Sequence, residues 1–226
     1  MLEISKLISF DKINSTNTYV KENYKNLDNG TIVLAKVQTQ GRGRLGRVWI
    51  SQEGGLWFSI LFKKNLKHPN FYTKLSAITL LSILKNLKIS AKIKWPNDIF
   101  FKGKKLSGIL TEIISKNGKV QAIVVGIGLN VNNETPPEGT SVLKVTGKKF
   151  ENDLILEMFI DKFNIYYKFF RLFPFLLTIA WKKNLIFKRN DTINGYKIKK
   201  ITSEYLIVEK NGLNKKIKSI HELEGG

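Results

Sequence analysis

The stretch KIKWPNDIFFKGKKLSGILTEIISKNGKVQAIVVGI, Lys92 to Ile127, decides the fold. Four strand-like pieces follow one another within it: Lys92–Trp95, Ile99–Phe101, Gly108–Ile114 and Lys119–Ile127. Upstream, Phe71–Leu87 places Leu75, Ile78, Leu81, Leu84 and Leu87 three residues apart, which predicts one apolar face of a helix. Leu56–Phe62 (LWFSILF) and Thr31–Val37 (TIVLAKV) read as buried strands, and Ser15–Thr18 supplies cap residues for a helix over Tyr19–Lys25. Downstream, Lys148–Asn194 has no glycine and one proline, and Asp153–Phe170 and Pro174–Lys183 read as helices. Past Arg189 the texture changes to short alternating strands, Thr192–Ile193, Lys197–Thr202, Tyr205–Lys210 and Lys215–Ile220, punctuated by Gly195 and Asn211-Gly212. The class is therefore α+β: a mixed β-sheet packed with helices over residues 1–187, then a small SH3-like β-barrel over 188–226.

Composition narrows the chemistry. A chain of 226 residues, 42% hydrophobic and 25% charged, supports one good core plus a small annex, which excludes disorder and a fibrous repeat. The absence of cysteine removes disulfides, thiolate zinc sites and a cysteine nucleophile. His68 and His221 lie far apart in sequence, which argues against a histidine triad or metal cluster. Met1–Lys6 opens no signal-like apolar run, and the longest apolar stretches, Ile123–Ile127 and Phe173–Ala180, are too short to span a bilayer. The expectation is a cytoplasmic protein with no membrane partner.

The net charge of +20 invites a nucleic-acid reading. Yet of 38 basic residues only five are arginine, and the lysines are spread along the whole chain, as in a protein from an AT-rich genome. An anionic partner is the other source of such an excess. Three of the five arginines fall together in Gln40-Gly41-Arg42-Gly43-Arg44-Leu45-Gly46-Arg47-Val48-Trp49. A position that stays arginine in a lysine-biased chain calls for the planar fork that grips carboxylate or phosphate oxygens in pairs. The interleaved glycines let backbone N–H groups turn inward on an anion. The loop is not a Walker A motif, and Gly126-Ile127-Gly128-Leu129-Asn130-Val131 fails the dinucleotide spacing because Val131 stands where a third glycine belongs.

A second constellation is Lys94-Trp95-Pro96-Asn97-Asp98, followed by Lys104-Lys105-Leu106-Ser107-Gly108. Pro96 forces a turn that presents Asn97 and Asp98 at a strand end. An amide beside a carboxylate suits a base edge or a hydrated Mg²⁺, and equally an ordinary hairpin corner. Trp57 and Trp95 fit either a ligand wall or plain core packing.

Together these strings resemble the biotin–protein ligases: Ser15-Thr16-Asn17, Gln38–Trp49, Lys94–Asp98, Lys105–Leu110 and Gly126–Asn132, in the family's order. The departure is Leu45, where many members carry another basic residue. The resemblance implies a class II synthetase-like fold of the biotin–lipoate ligase type. It also implies a two-step reaction, in which biotin and MgATP give biotinyl-5′-adenylate and the biotinyl group then passes to a lysine of a biotin carboxyl carrier domain. By the same resemblance Ser15, Thr16, Asn17, Gln38, Gly41 and Gly108 belong to the biotin site. Arg42, Gly43 and Arg44 would close over the carboxylate and phosphates, and Lys105 would meet charge at the reacting atoms. Arg47, Trp49, Lys94, Asn97 and Asn130 would hold the nucleotide, with Asp98 as the Mg²⁺ ligand. A carboxylate is already an ionised nucleophile at pH 7, so such a site needs fixed positive charge rather than histidine or cysteine. Ser15-Thr16-Asn17 comes so early that no N-terminal DNA-binding domain is expected, and exposed sheet edges suggest a homodimer. The competing readings are a lipoate or octanoate ligase or transferase of the same fold, and a nucleic-acid-binding module.

Overall fold

The computed structural model describes residues 7–64 and 66–223, so the reading of Met1–Lys6 lies outside them. A seven-stranded sheet runs in the order β1-β2-β3-β7-β6-β5-β4. Its strands are β1 (Leu7–Ile13), β2 (Ile32–Gln38), β3 (Leu56–Phe62), β4 (Lys92–Lys94), β5 (Asp98–Phe101), β6 (Lys104–Lys116) and β7 (Lys119–Leu129). β1 and β2 are parallel and every other pairing is antiparallel, which makes the sheet mixed.

Strand alternation gives the sheet two different faces. Phe58, Ile60 and Phe62 of β3 and Ile123, Val125 and Ile127 of β7 join the main core under α2 (Pro69–Asn86), α4 (Asn152–Leu172) and α5 (Pro174–Lys183). On the other face Leu61 and Val124 pack with Val20 of α1 (Thr16–Asn23) in a smaller cluster. Further along that second face β7 and β6 carry glycines. Gly126 pairs with Ser59 of β3, Gly128 with Trp57, and Gly108 of β6 lies opposite Gly128, which leaves a glycine floor on β6 and β7 beside the buried Trp57.

After the short α3 (Val142–Thr146) and the two long helices, β8 (Thr192–Ile193), β9 (Tyr196–Ile201), β10 (Leu206–Lys210) and β11 (Leu213–Ile217) form a four-stranded antiparallel sheet. Its Ile198, Leu206, Val208 and Ile217 belong to the same apolar cluster as the main core. The Trp95 indole donates to the Thr202 carbonyl at 2.7 Å, tying this sheet to the β4–β5 turn.

Candidate active site

One cleft gathers most of the residues singled out from the sequence. Its floor is the glycine-lined face of β6 and β7. Its walls come from the start of α1, the Arg42–Val48 hairpin, the Lys94–Asp98 turn and the Ser219–His221 segment.

The polar end is built from α1. Ser15 caps the helix by accepting from the Thr18 N–H, which turns Thr16 and Asn17 toward β2 and β3. The Gln38 Oε1 accepts from the Thr16 N–H at 2.9 Å and hydroxyl at 3.1 Å, while its Nε2 donates to the Ser51 hydroxyl at 2.8 Å. The Ser59 hydroxyl reaches the Thr16 hydroxyl at 2.7 Å and the Asn17 Oδ1 at 2.5 Å. The Asn17 Nδ2 donates to Glu112 Oε2 at 2.8 Å, and Glu112 is paired in turn with Lys21 at 2.7 Å. Thr16, Asn17, Ser51 and Ser59 are all buried, so this network holds each group in one orientation.

Gly126 and Gly128 are required by close approach rather than by backbone angle. A Cβ at 126 would overlap the Asn17 carboxamide, and one at 128 would overlap the Trp49 indole. The Gly-Ile-Gly string that fails as a dinucleotide motif therefore has a steric role, with its two glycines on one face of β7 beneath two candidate ligand residues.

The arginine loop is a small hairpin. Arg42 bridges to Val48, and the Gly43 N–H donates to the Arg47 carbonyl at 2.7 Å. Leu45 and Val48 do not anchor it, being 74% and 82% exposed. Its arginines tie it down. Arg42 donates to the Thr18 hydroxyl at 2.7 Å, and Arg44 to the Asn97 Oδ1 and the Lys218 carbonyl, each at 3.2 Å. Arg47 NH1 lies 2.7 Å from His221 Nε2. Burial pushes the Arg44 guanidinium below its ordinary pKa, Asp98 opposes that, and the neighbouring Arg47 adds to it. His221, set aside from its distance in sequence, is thus a residue of the cleft. With one tie lost, His221→Ala is expected to speed cleavage after Arg42, Arg44 or Arg47 by an arginine-specific protease severalfold. Fragment mass spectrometry checks this, and unchanged cleavage would deny the tie.

Lys105 sits at the centre. Its Nζ is 2.7 Å from Asp98 Oδ2 and 5.0 Å from the Trp49 ring centroid. Trp49 is half-buried and edge-on to Trp57 at 6.1 Å. Lys94, also in the cleft, lies over the Phe100 ring at 4.9 Å. Asn97 is turned by donating to the Ile109 carbonyl at 2.6 Å. Trp57 and Trp95 are buried, with indole N–H groups bonded to the Gln52 and Thr202 carbonyls, and Trp95 also lines the cleft.

Gly41 and Asn130 stand behind the wall. Gly41 packs against the Trp49 carbonyl, and buried Asn130 bonds to the Lys105 carbonyl and Asn133. Asp98 is engaged with Lys105, and among the described residues no three His, Cys, Asp or Glu side chains converge. These donors alone do not make a magnesium site. Ser59 and Glu112 escaped the sequence reading, although each is the lone polar or acidic residue within an apolar strand segment.

The profile of the Biotin/lipoate A/B protein ligase family matches residues 9–130. The Bifunctional ligase/repressor BirA of Bacillus subtilis is 38% identical over 164 residues, 67% of this chain and 50% of that protein. The Biotin--[acetyl-CoA-carboxylase] ligase of Paracoccus denitrificans is 31% identical over 125 residues, 53% of this chain and 52% of that one. The chain thus spans about half the length of these curated relatives. The biotin protein ligase of Aquifex aeolicus, solved in complex with biotin and ATP, superposes with a TM-score of 0.78 at 30% identity, covering 95% of this chain and 96% of that one. Motif order, cleft and whole-chain superposition converge, and the chain belongs to the biotin/lipoate A/B protein ligase family.

Proposed function

We propose that this protein is a biotin–protein ligase that activates biotin with ATP and transfers it to a lysine of an acceptor protein. The observation that carries the reading is the buried polar network of Thr16, Asn17, Gln38 and Ser59 at one end of a cleft whose other groups are Arg42, Arg44 and Lys105. A ureido ring offers donors and a carbonyl acceptor to such a network, whereas a dithiolane or alkyl terminus offers neither. A site built to hydrogen-bond its ligand rejects an analogue that leaves those groups unpaired. The Aquifex relative's bound biotin and ATP support the same reading.

In the first step a biotin carboxylate oxygen attacks the α-phosphorus of ATP and the bond to the β-phosphate oxygen breaks, releasing pyrophosphate. Arg42 and Arg44 hold the two anions together, and Lys105 stabilises charge on the carboxyl and α-phosphoryl oxygens. An ammonium has three donors, so the pairing with Asp98 leaves two for the ligand. Trp49 provides the stacking wall for adenine, with Lys94, Arg47 and Asn97 at its edge, while Asn130 and Gly41 support Lys105 and Trp49 from behind. In the second step an acceptor lysine amine attacks the acyl carbon, AMP leaves, and the amine loses a proton.

The acceptor is the biotin carboxyl carrier domain of a carboxylase. Residues 1–187 form the catalytic unit and 188–226 an SH3-like barrel that contributes Ser219–His221 to the cleft. A homodimer would pair copies at β1, because the β4 edge is covered by the Ile93–Leu185 bridge. Incubation with biotin, ATP and a carrier domain is expected to add one biotinyl group to one lysine, read by intact mass and peptide mapping. No adduct with biotin, or an adduct with lipoate alone, would overturn the proposal.

The net charge of +20 makes a salt prediction for an acidic carrier. Transfer should slow severalfold between low and physiological salt, and adenylation much less, because steering between two macromolecules is screened beyond about 8–10 Å. Stopped-flow rates for the separate steps check this, and equal salt sensitivity would remove charge steering from the account.

A further inference from the structure

The corner between α4 and α5 carries an apolar cluster that the ligase reading does not use. Ile165, Phe169, Leu172 and Phe173 follow one another at the spacing of a single helix face, and all are exposed. Arg171 to Phe175 are five consecutive exposed residues, with Leu172 at 72% and Phe175 at 61%, so the corner is convex. The stripe continues onto α5 through Phe175 and Ile179, and the Phe169 and Phe173 rings lie 5.4 Å apart across the end of α4. The opposite faces of both helices are already committed to the core through Phe163, Tyr167, Phe170, Leu177 and Trp181. These helices are apolar on two sides, and among the described residues only one side is covered.

The charge around the corner selects its occupant. Between Asp161 and Asp191 the sequence has no acidic residue and seven basic ones. Lys168 and Arg171 lie exposed beside the stripe on α4, and Lys182 and Lys183 extend the Phe175–Ile179 face of α5. A second copy would bring the same positive rim against this one, and a convex tip gives a folded partner no groove to fill. Phenylalanine and leucine at a protruding turn, in a segment that carries lysine and arginine and no acid, suit an interface in which apolar groups sink below anionic headgroups while the ammonium groups stay among them. Among the described residues no helix is long and apolar enough to cross a membrane, so the contact is peripheral.

We infer that the α4–α5 corner seats the protein on an anionic lipid surface, beyond the absence of a membrane partner that the sequence suggests. The inference is independent of the ligase reading. The test is flotation of the full chain with vesicles of phosphatidylcholine alone or mixed with phosphatidylglycerol. The wild type should float with the mixed vesicles and far less with the neutral ones. Replacing two exposed apolar residues, Leu172→Ser with Phe175→Ser, should cut the partition coefficient by about tenfold or more. Lys182→Glu with Lys183→Glu should do the same, whereas the equal charge change Lys116→Glu with Lys119→Glu at the β6–β7 hairpin should not. Unchanged circular dichroism and thermal melting certify the fold of each variant. Flotation of the Leu172/Phe175 variant as strong as wild type would reduce the binding to diffuse charge and overturn the proposal. So would absence of wild-type flotation, or sedimentation showing that the corner pairs copies instead. As a second readout, fluorescence of Phe175→Trp above the wild-type background should be quenched by brominated acyl chains. No quenching beyond that background would overturn the inference.

Discussion

Lys105→Met is expected to slow adenylate formation by about a hundred- to a thousandfold while changing biotin's dissociation constant only a few-fold. The lysine backbone is fixed before any ligand arrives. Its N–H donates to the Glu138 carbonyl at 2.9 Å, and its carbonyl accepts from Thr140 at 2.9 Å and Asn130 at 3.5 Å. The ammonium lies over the Trp49 ring and against Asp98, so the charge is positioned in advance. Methionine keeps the apolar stem and removes only the charge, which separates electrostatics from packing. A donor aimed at developing negative charge acts in the transition state more than on bound biotin, so the rate should fall and the affinity should not. Single-turnover quenched-flow with labelled ATP reads the first quantity and titration calorimetry the second. A wild-type burst rate would remove Lys105 from the chemistry.

The second large effect concerns two glycines one residue apart. Gly126→Ala places a methyl into the Asn17 carboxamide, and Gly128→Ala places one into the Trp49 indole. Neither neighbour yields freely, because Asn17 is held by Ser59 and Glu112, and Trp49 is held by its backbone bond to Gly41 and by Trp57. Overpacking of this kind costs about 1–3 kcal/mol, which is about ten- to a hundredfold in a binding constant. Gly126→Ala should therefore weaken biotin binding with little effect on ATP, and Gly128→Ala the reverse. If both variants weaken the same ligand, the division of the cleft into a biotin end and a nucleotide end is wrong.

The strands that carry this cleft were readable because each is a dense apolar run. Leu56–Phe62 and Pro174–Lys183 match the observed elements residue for residue, and the four pieces between Lys92 and Ile127 are β4 to β7. β1 was missed because LISFDKI neither alternates cleanly nor runs continuously apolar, and as an edge strand it has no fully buried residue. α3 was missed because five residues are too short to show a helical period. In the site, the local strings were legible as strings, and residues 15 to 110 come together largely as expected. What the sequence could not show is closure across the chain. Arg44 meets the Lys218 carbonyl, and Arg47 meets His221, across 174 positions, and no local pattern announces either contact. Ser59 and Glu112 were hidden differently. Each looks like a flaw in an apolar strand until α1 is laid over the sheet and Asn17 supplies the partner.

The central claim is that the polar end of the cleft selects biotin and that the cationic end activates its carboxylate with ATP. The most direct test is pyrophosphate release from ATP by the purified full chain, measured separately with biotin, lipoate and octanoate and with no acid. The account predicts release with biotin at a rate at least a hundredfold above that with either of the other acids. Release driven by lipoate or octanoate and not by biotin would contradict it.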